Sequence, residues 1–218
     1  MAEQAMPQDL ISLFGTDEVQ EPLHEYSAGH LRVGIQGHAI RGVYWGDTEV
    51  WHGAAFWFRD RHWGTPPHEV THTQVRTHEH GFELTVQGWV QADCRLDFEV
   101  RIVGHPDHRI SYHVRATPQQ NLPSNRCGVV LLHPLSCAGQ AIDIEHTDGR
   151  QSQSTFPSLI ARWPPFTLIR ALSHTALPGV RAHAKFMGDD FEFEDQRNNF
   201  DASYKTYNRS NQAPRPYV

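Results

Sequence analysis

The sequence has 218 residues and a formal net charge of −6 at neutral pH, and hydrophobic and charged residues make up 39% and 20% of it. This balance supports a packed core and excludes a disordered chain. The negative net charge argues against nucleic acids and anionic membranes as partners, because both bind basic surfaces. No apolar run approaches the roughly 18 residues that a membrane-spanning helix needs.

The N-terminal residues and the cysteines indicate the cellular compartment. Residues 1–4 lack the basic and apolar stretches of a secretory signal. Cys94, Cys127 and Cys137 are an odd set without CxxC spacing, so we expect reduced thiols. Both observations favour a cytoplasmic protein.

Most of the chain follows a two-residue hydrophobic period, apart from a short helix or turn that we expect at residues 8–14. Apolar and polar residues alternate over residues 82–87, 94–102, 110–115 and 180–186, and residues 129–132 are continuously apolar. Turn residues separate these runs at Pro106-Asp107, at Asp148-Gly149 and at residues 188–190. The pattern predicts an all-β fold, a large antiparallel β-sandwich with a dozen or more strands and almost no helix.

The same pattern divides the chain into three parts. Residues 1–28 are predicted to form an N-terminal lead-in segment, and residues 29–208 the β-sandwich domain. Residues 209–218 are polar and rich in proline. We expect them to form a tail or the start of a connection to another domain.

His68-Glu-Val-Thr-His72 matches the HExxH pattern of zinc proteases. That chemistry requires a helix, whereas Pro66 and Pro67 precede the motif and a strand pattern follows it. On a strand, residues four apart share a face but lie about 13 Å from each other, too far to ligate one zinc ion. We therefore expect surface histidines on an exposed strand and no metal site.

The densest polar run extends from Phe191 to Tyr207 and has the pattern of a hairpin. Phe191 and Phe193 alternate with acidic residues in its first strand, and Ser203, Lys205 and Tyr207 share a face of the second. Such a hairpin could bring together Glu194, Asp195, Arg197, Asp201 and Lys205. Carboxylates beside cations can bind a sugar acid, activate water or stabilise an oxyanion. A structural ion network that holds a loop is an equally good interpretation.

Two further segments contain candidate binding residues. Arg59 could hold a carboxylate in a bidentate manner, and Trp63 could provide an apolar platform for a sugar ring. A half-buried tryptophan in a loop is the alternative. His133 ends a strand predicted to be buried, where a histidine is more often structural than catalytic.

Seven segments together resemble the N-terminal β-domain of the D-apionate lactonase family, over roughly residues 10–210. They are Phe14–Glu18, Arg59–Thr65, Val130–Leu135, His146–Gly149, Phe156–Ile160, Pro165-Phe166 with Ile169–Ala171, and Glu194–Asn198 with Asp201–Tyr207. The resemblance implies a lactonase that opens the lactone ring of a branched sugar acid by hydrolysis, without a cofactor. It also implies that a TIM-barrel domain follows this one in full-length relatives.

If the chain is itself a lactone hydrolase, the hairpin supplies its catalytic residues. Glu194 or Asp195 would be the general base, and Arg197 and Lys205 would hold the oxygen atoms of the sugar acid or lactone. Asp201 would orient Lys205. Trp63 would stack on the substrate, and Arg59, His133 and Tyr207 would also contact it.

Two alternatives stay open. The chain could be a non-catalytic module that binds carbohydrate, or that docks on a TIM-barrel domain or on a second copy of itself. It could also resemble large sandwiches that epimerise sugars with a histidine and a carboxylate. In that case His133 and Glu194 would have these roles.

Overall fold

The computed structural model describes residues 21–198 and 202–209. These residues form sixteen β-strands and one 3-10 turn at Leu135–Cys137, which confirms the predicted all-β fold. The short helix or turn expected at residues 8–14, the segment 210–218 and Asp201 lie outside the described residues. Among the described residues, no helix has the length and apolar character that crossing a membrane requires.

The strands follow one another along the chain with short connections. They are β1 (His24–Ala28), β2 (Leu31–Gln36), β3 (Ala39–Trp45), β4 (Thr48–Trp51), β5 (Gly53–Asp60), β6 (His68–His78), β7 (Gly81–Gln91), β8 (Arg95–Gly104), β9 (Ile110–Pro118), β10 (Ser124–His133), β11 (Ala141–His146), β12 (Gln151–Thr155), β13 (Phe166–Leu177), β14 (Val180–Lys185), β15 (Phe191–Gln196) and β16 (Ser203–Asn208). The alternating runs of the sequence correspond to β7, β8, β9 and β14. Strand β1 lies within the predicted lead-in segment.

The strands form two antiparallel sheets. Twelve make one sheet in the order β1-β2-β3-β5-β10-β16-β15-β13-β11-β12, with β4 beside β3 and β14 beside β13. Strands β6 to β9 make the second sheet in chain order. The continuously apolar run of the sequence lies in β10, in the middle of the large sheet between β5 and β16.

The large sheet has an inner face, which carries Phe56 and His133, and an outer face, which carries Trp57 and Val130. Near β1 to β5 the inner face packs on the small sheet in the largest hydrophobic cluster, which includes Phe56, Phe82 and Phe98. Further along, the inner face forms a second cluster around Phe193. The loop between β12 and β13 contributes Phe156 to this second cluster, with no exposed surface.

Strand β6 is an edge strand of the small sheet and contains a β-bulge between Val70 and His72. Because the extra residue shifts the alternation, His68 points to the inner side of the small sheet and His72 to the outer side. His68 packs on Phe56 and Phe98. The strand itself was predicted correctly, but the expectation that His68 is a surface residue on one face with His72 was wrong.

Two histidines lie inside the second cluster. His133 and His174 have ring centroids 6.5 Å apart and both contact the indole of Trp51. Burial lowers the pKa of both imidazoles, to about 4 for His174. A nearby positive charge disfavours protonation, so His174 adds to the effect at His133, and Arg181 adds to it at His174. Burial likewise lowers the pKa of His68 to about 4. These rings are therefore neutral at physiological pH.

These buried neutral imidazoles predict that the free energy of unfolding decreases as the pH is lowered. The unfolded chain binds protons near pH 6.5, but folded His174 does so only near pH 4, so stability is lost as pH falls through that window. Urea denaturation measures the free energy of unfolding near pH 7.5 and near pH 5. The decrease between these two pH values should be smaller by about 1 to 2 kcal/mol in His174→Phe than in the parent chain. His72→Phe, on the exposed side of β6, is the control and should keep the parent dependence. Equal pH dependence in all three proteins would contradict the assignment.

Candidate functional site

Strands β15 and β16 form the predicted hairpin, in which Glu194 pairs with Lys205 and Asp195 with Tyr204. Adjacent residues of a strand point to opposite faces of the sheet. Glu194 and Lys205 therefore lie on the outer face, and Asp195 lies on the inner face. The expectation that the hairpin collects all its charged residues in one pocket was wrong, and the two faces are described in turn.

On the outer face, six side chains form what we call the polar cluster: Arg126, Glu192, Glu194, Gln196, Lys205 and Tyr207. Both carboxylate oxygens of Glu194 are hydrogen-bonded. Its Oε1 accepts a bond from Arg126 Nη2 at 2.9 Å, and its Oε2 accepts bonds from Tyr207 OH at 2.6 Å and Gln196 Nε2 at 2.7 Å. Arg126 also binds Glu192. The Arg126 guanidinium thus joins the two carboxylates of the cluster.

Aromatic rings support the two cations of the polar cluster. The guanidinium carbon of Arg126 lies 3.6 Å from the centroid of the Tyr207 ring, and Lys205 Nζ lies 4.7 Å from that of Trp57. Burial, reinforced by the Glu194 carboxylate, raises the pKa of Tyr207, so its phenol stays protonated and donates to Glu194. Lys205 is only 3% exposed. The Glu194 side chain is 27% exposed and is therefore more accessible than the side chains of Arg126 and Glu192.

On the inner face, Asp195 and Arg197 form a separate ion pair. Arg197 Nε and Nη2 each donate to a different oxygen of Asp195 at 2.8 Å. The Asp195 side chain has no exposed surface. Burial raises its pKa, but the bonds from Arg197 and from the Ala161 amide outweigh this and hold the pKa below the usual carboxyl range. This buried pair has the geometry expected of a structural ion network that holds a loop, which was one of the two interpretations of the sequence.

The remaining predicted site residues differ in their position relative to the polar cluster. Arg59 lies beside the cluster on the outer face, where it pairs with Arg126 across β5 and β10, stacks on Trp57 and binds Thr65. Trp63 follows β5 in a turn and is 48% exposed, with no hydrogen bond or ring contact to the polar cluster among the described residues. His133 lies on the inner face with no exposed surface, and its Nε2 is 2.8 Å from Thr206 Oγ1. His133 and Glu194 are thus on opposite faces, which contradicts the epimerase-like arrangement.

Sequence reasoning missed two residues of the outer face, Arg126 and Trp57. Each comes from a strand far from the hairpin in sequence, β10 or β5. A weak signal existed for Arg126, which precedes Val130 and Leu132 at even spacing and so had to share their face. The signal could not reveal that this face would meet Tyr207, because strand pairing is not encoded locally.

Comparison with known proteins identifies the family. A family model described as the N-terminal domain of D-apionate lactonase matches residues 11–218. The chain belongs to the D-apionate lactonase family. This finding confirms the resemblance seen in the sequence, and the Asp195–Arg197 pair and Lys205 lie in segments that contributed to it.

A curated relative supports the same assignment. The chain is 34% identical over 212 residues to the D-apionate lactonase of Brucella anthropi. The match covers 96% of this chain but 35% of the relative. The chain therefore spans about a third of the length of that protein.

Asp143 on β11 and Arg181 on β14 form a second, more exposed ion pair. Because the Asp195–Arg197 pair is buried and the Asp143–Arg181 pair is not, we expect different losses of stability when each aspartate is replaced by asparagine. Asp195→Asn leaves Arg197 without its charge partner in a buried setting and should lower the free energy of unfolding by about 3 kcal/mol. Asp143→Asn is the control, because its partner Arg181 is 55% exposed, and it should cost less than about 1 kcal/mol. Chemical denaturation near pH 7.5 measures both. Equal losses would show that the buried pair is not a structural anchor.

Proposed function

We propose that this domain belongs to a lactone hydrolase acting on a sugar-acid lactone, and that the polar cluster binds the oxygen atoms of the substrate. The membership of the D-apionate lactonase family supports the reaction class. The observation that carries the assignment of the site is the pairing of Glu194 with Lys205 on the outer face, beside the Arg126 guanidinium.

The charge of the cluster suits a neutral, hydroxylated ligand. Its described members contribute two positive and two negative charges, so an uncharged lactone enters without adding an unpaired charge. The carboxylates accept bonds from sugar hydroxyls, and the cations donate to carbonyl and ring oxygens. The indole of Trp57 adds a flat apolar surface of the kind on which sugar rings stack.

In the proposed reaction, Glu194 acts as the base because it is the more exposed of the two predicted carboxylates. It takes a proton from water as the water oxygen attacks the lactone carbonyl carbon. Lys205 stabilises the negative charge on the carbonyl oxygen. The ring C–O bond then breaks, and the proton returns from Glu194 to the departing alkoxide. The product is a hydroxy acid, which ionises and releases one proton at neutral pH. No metal or cofactor takes part in these steps.

Asp195 and Arg197 have a supporting role in this proposal. Both carboxylates accept hydrogen bonds at both oxygens, but the Asp195 side chain is fully buried whereas that of Glu194 is 27% exposed. The pair therefore anchors the protein below the site rather than contacting substrate. The three cysteines are free thiols, which supports activity in the reducing cytoplasm.

Proton release tests the proposal with five-membered sugar-acid lactones and the purified 218-residue chain. Lys205→Met keeps the apolar stem of the side chain but removes its charge, and should lower kcat/KM about a hundredfold. The chain has one other lysine, Lys185, which is exposed on β14. Lys185→Met is therefore the matched control and should retain the parent rate.

Thermal denaturation of both variants separates lost chemistry from lost structure. A parent chain that releases protons no faster than the buffer blank would move the chemistry to another part of the family protein. Unchanged turnover in a folded Lys205→Met variant would remove the polar cluster as the site.

A further inference from the structure

Buried polar groups fix the backbone of one surface loop, residues 157–163, at three points. The Ala161 amide donates to Asp195 Oδ2 at 2.9 Å, and Arg197 Nη1 donates to the Ser158 carbonyl at 3.2 Å. The phenol of Tyr204 donates to the Pro157 carbonyl. Just before the loop, Phe156 is fully buried in the second hydrophobic cluster. The loop therefore has a defined conformation although it contains no regular secondary structure.

Three large apolar side chains of this anchored loop are exposed. Leu159 is 86% exposed, Ile160 is 50% exposed, and the ring of Trp163 remains half exposed. Leu135 on the neighbouring 3-10 turn is also exposed, and the Gly139 amide after that turn donates to the Phe156 carbonyl. Large apolar side chains exposed together on one anchored loop are typical of an interaction site. A rigid backbone lowers the entropy cost of binding through it.

We propose that the loop 157–163 is the docking surface for the part of the lactonase that follows this domain in full-length family members. The matched region is the N-terminal domain of the family, and nearly two-thirds of the Brucella anthropi relative lies outside it. A following domain is covalently tethered, so its local concentration at this surface is high. The inference is independent of whether the polar cluster hydrolyses lactones.

The place where the last described strand ends agrees with the proposal that a following domain binds this loop. Strand β16 starts beside Gln196, at the end of the sheet where Arg197 holds the loop, and finishes at Asn208. Six strand residues separate the two ends, which is about 17 Å. A domain that follows residue 218 is connected to Arg209 by nine residues and can reach that distance, since even a 100-residue domain has a radius of gyration of about 13 Å.

Hydrogen exchange in a joined protein tests the proposal. This chain is fused to the part of the Brucella anthropi lactonase that follows the matched region, and amide exchange is compared with that of the 218-residue chain alone. The amides of Leu159 and Ile160 should exchange at least tenfold more slowly in the joined protein. Leu159→Asp should restore the faster rates. Leu23→Asp, at a 55% exposed leucine before β1, is the matched control and should leave the protection unchanged.

Two results would overturn the inference. Exchange at Leu159 and Ile160 that is equal in the joined and separate proteins would show that the loop stays in solvent. Sedimentation velocity of the 218-residue chain tests whether a second copy of the chain binds the loop instead. We expect a monomer at all concentrations. A dimer that Leu159→Asp abolishes would assign the surface to self-association. Because Leu159 is so exposed, its substitution should leave the melting temperature within about 2 °C of the parent.

Discussion

The alternation of side chains along strand β15 determines how this domain distributes its charges. Glu194 and Asp195 are neighbours in sequence, yet the sheet separates them, and each meets a different arginine. On the outer face Arg126 reaches Glu194 from β10. On the inner face Arg197 folds back onto Asp195 from the end of the same strand. One short segment thereby contributes to a polar cluster and to a structural anchor at the same time.

The two arginine–carboxylate assemblies differ in what surrounds them. The Asp195–Arg197 pair is closed, since every described bond of its carboxylate goes to Arg197 or to the loop backbone at Ala161. The Glu194 assembly is more open, since the Glu194 side chain is 27% exposed, and it includes the phenol of Tyr207 and the amide of Gln196. A buried ion pair with satisfied partners costs much to break but contributes little chemistry. The more exposed carboxylate is the better candidate for contact with a ligand.

The strands were largely predictable from the sequence because side-chain alternation is a local property. The hairpin of β15 and β16 and the central position of β10 both follow from short patterns of apolar residues. The order of strands in the large sheet was not predictable, since β10 pairs with β5 and β16 across more than sixty residues of sequence. That is why Arg126 and Trp57 were missed. The bulge in β6 was also hidden, because nothing in Val70-Thr71-His72 distinguishes an extra residue from a regular one.

The bulge lets strand β6 contain one residue more than its partner strand without changing which side chains enter the core. Thr71 is the residue that the partner strand leaves unmatched, and its hydroxyl donates a hydrogen bond to the Gln87 carbonyl. Deleting Thr71 would restore regular pairing and leave His68 facing inward and His72 facing outward, because their partners Val90 and Gln87 already lie on opposite faces of β7. The loss of this one residue should therefore be as tolerable as a substitution on the exposed strand. Variation in this part of the family should include strands that are one residue shorter.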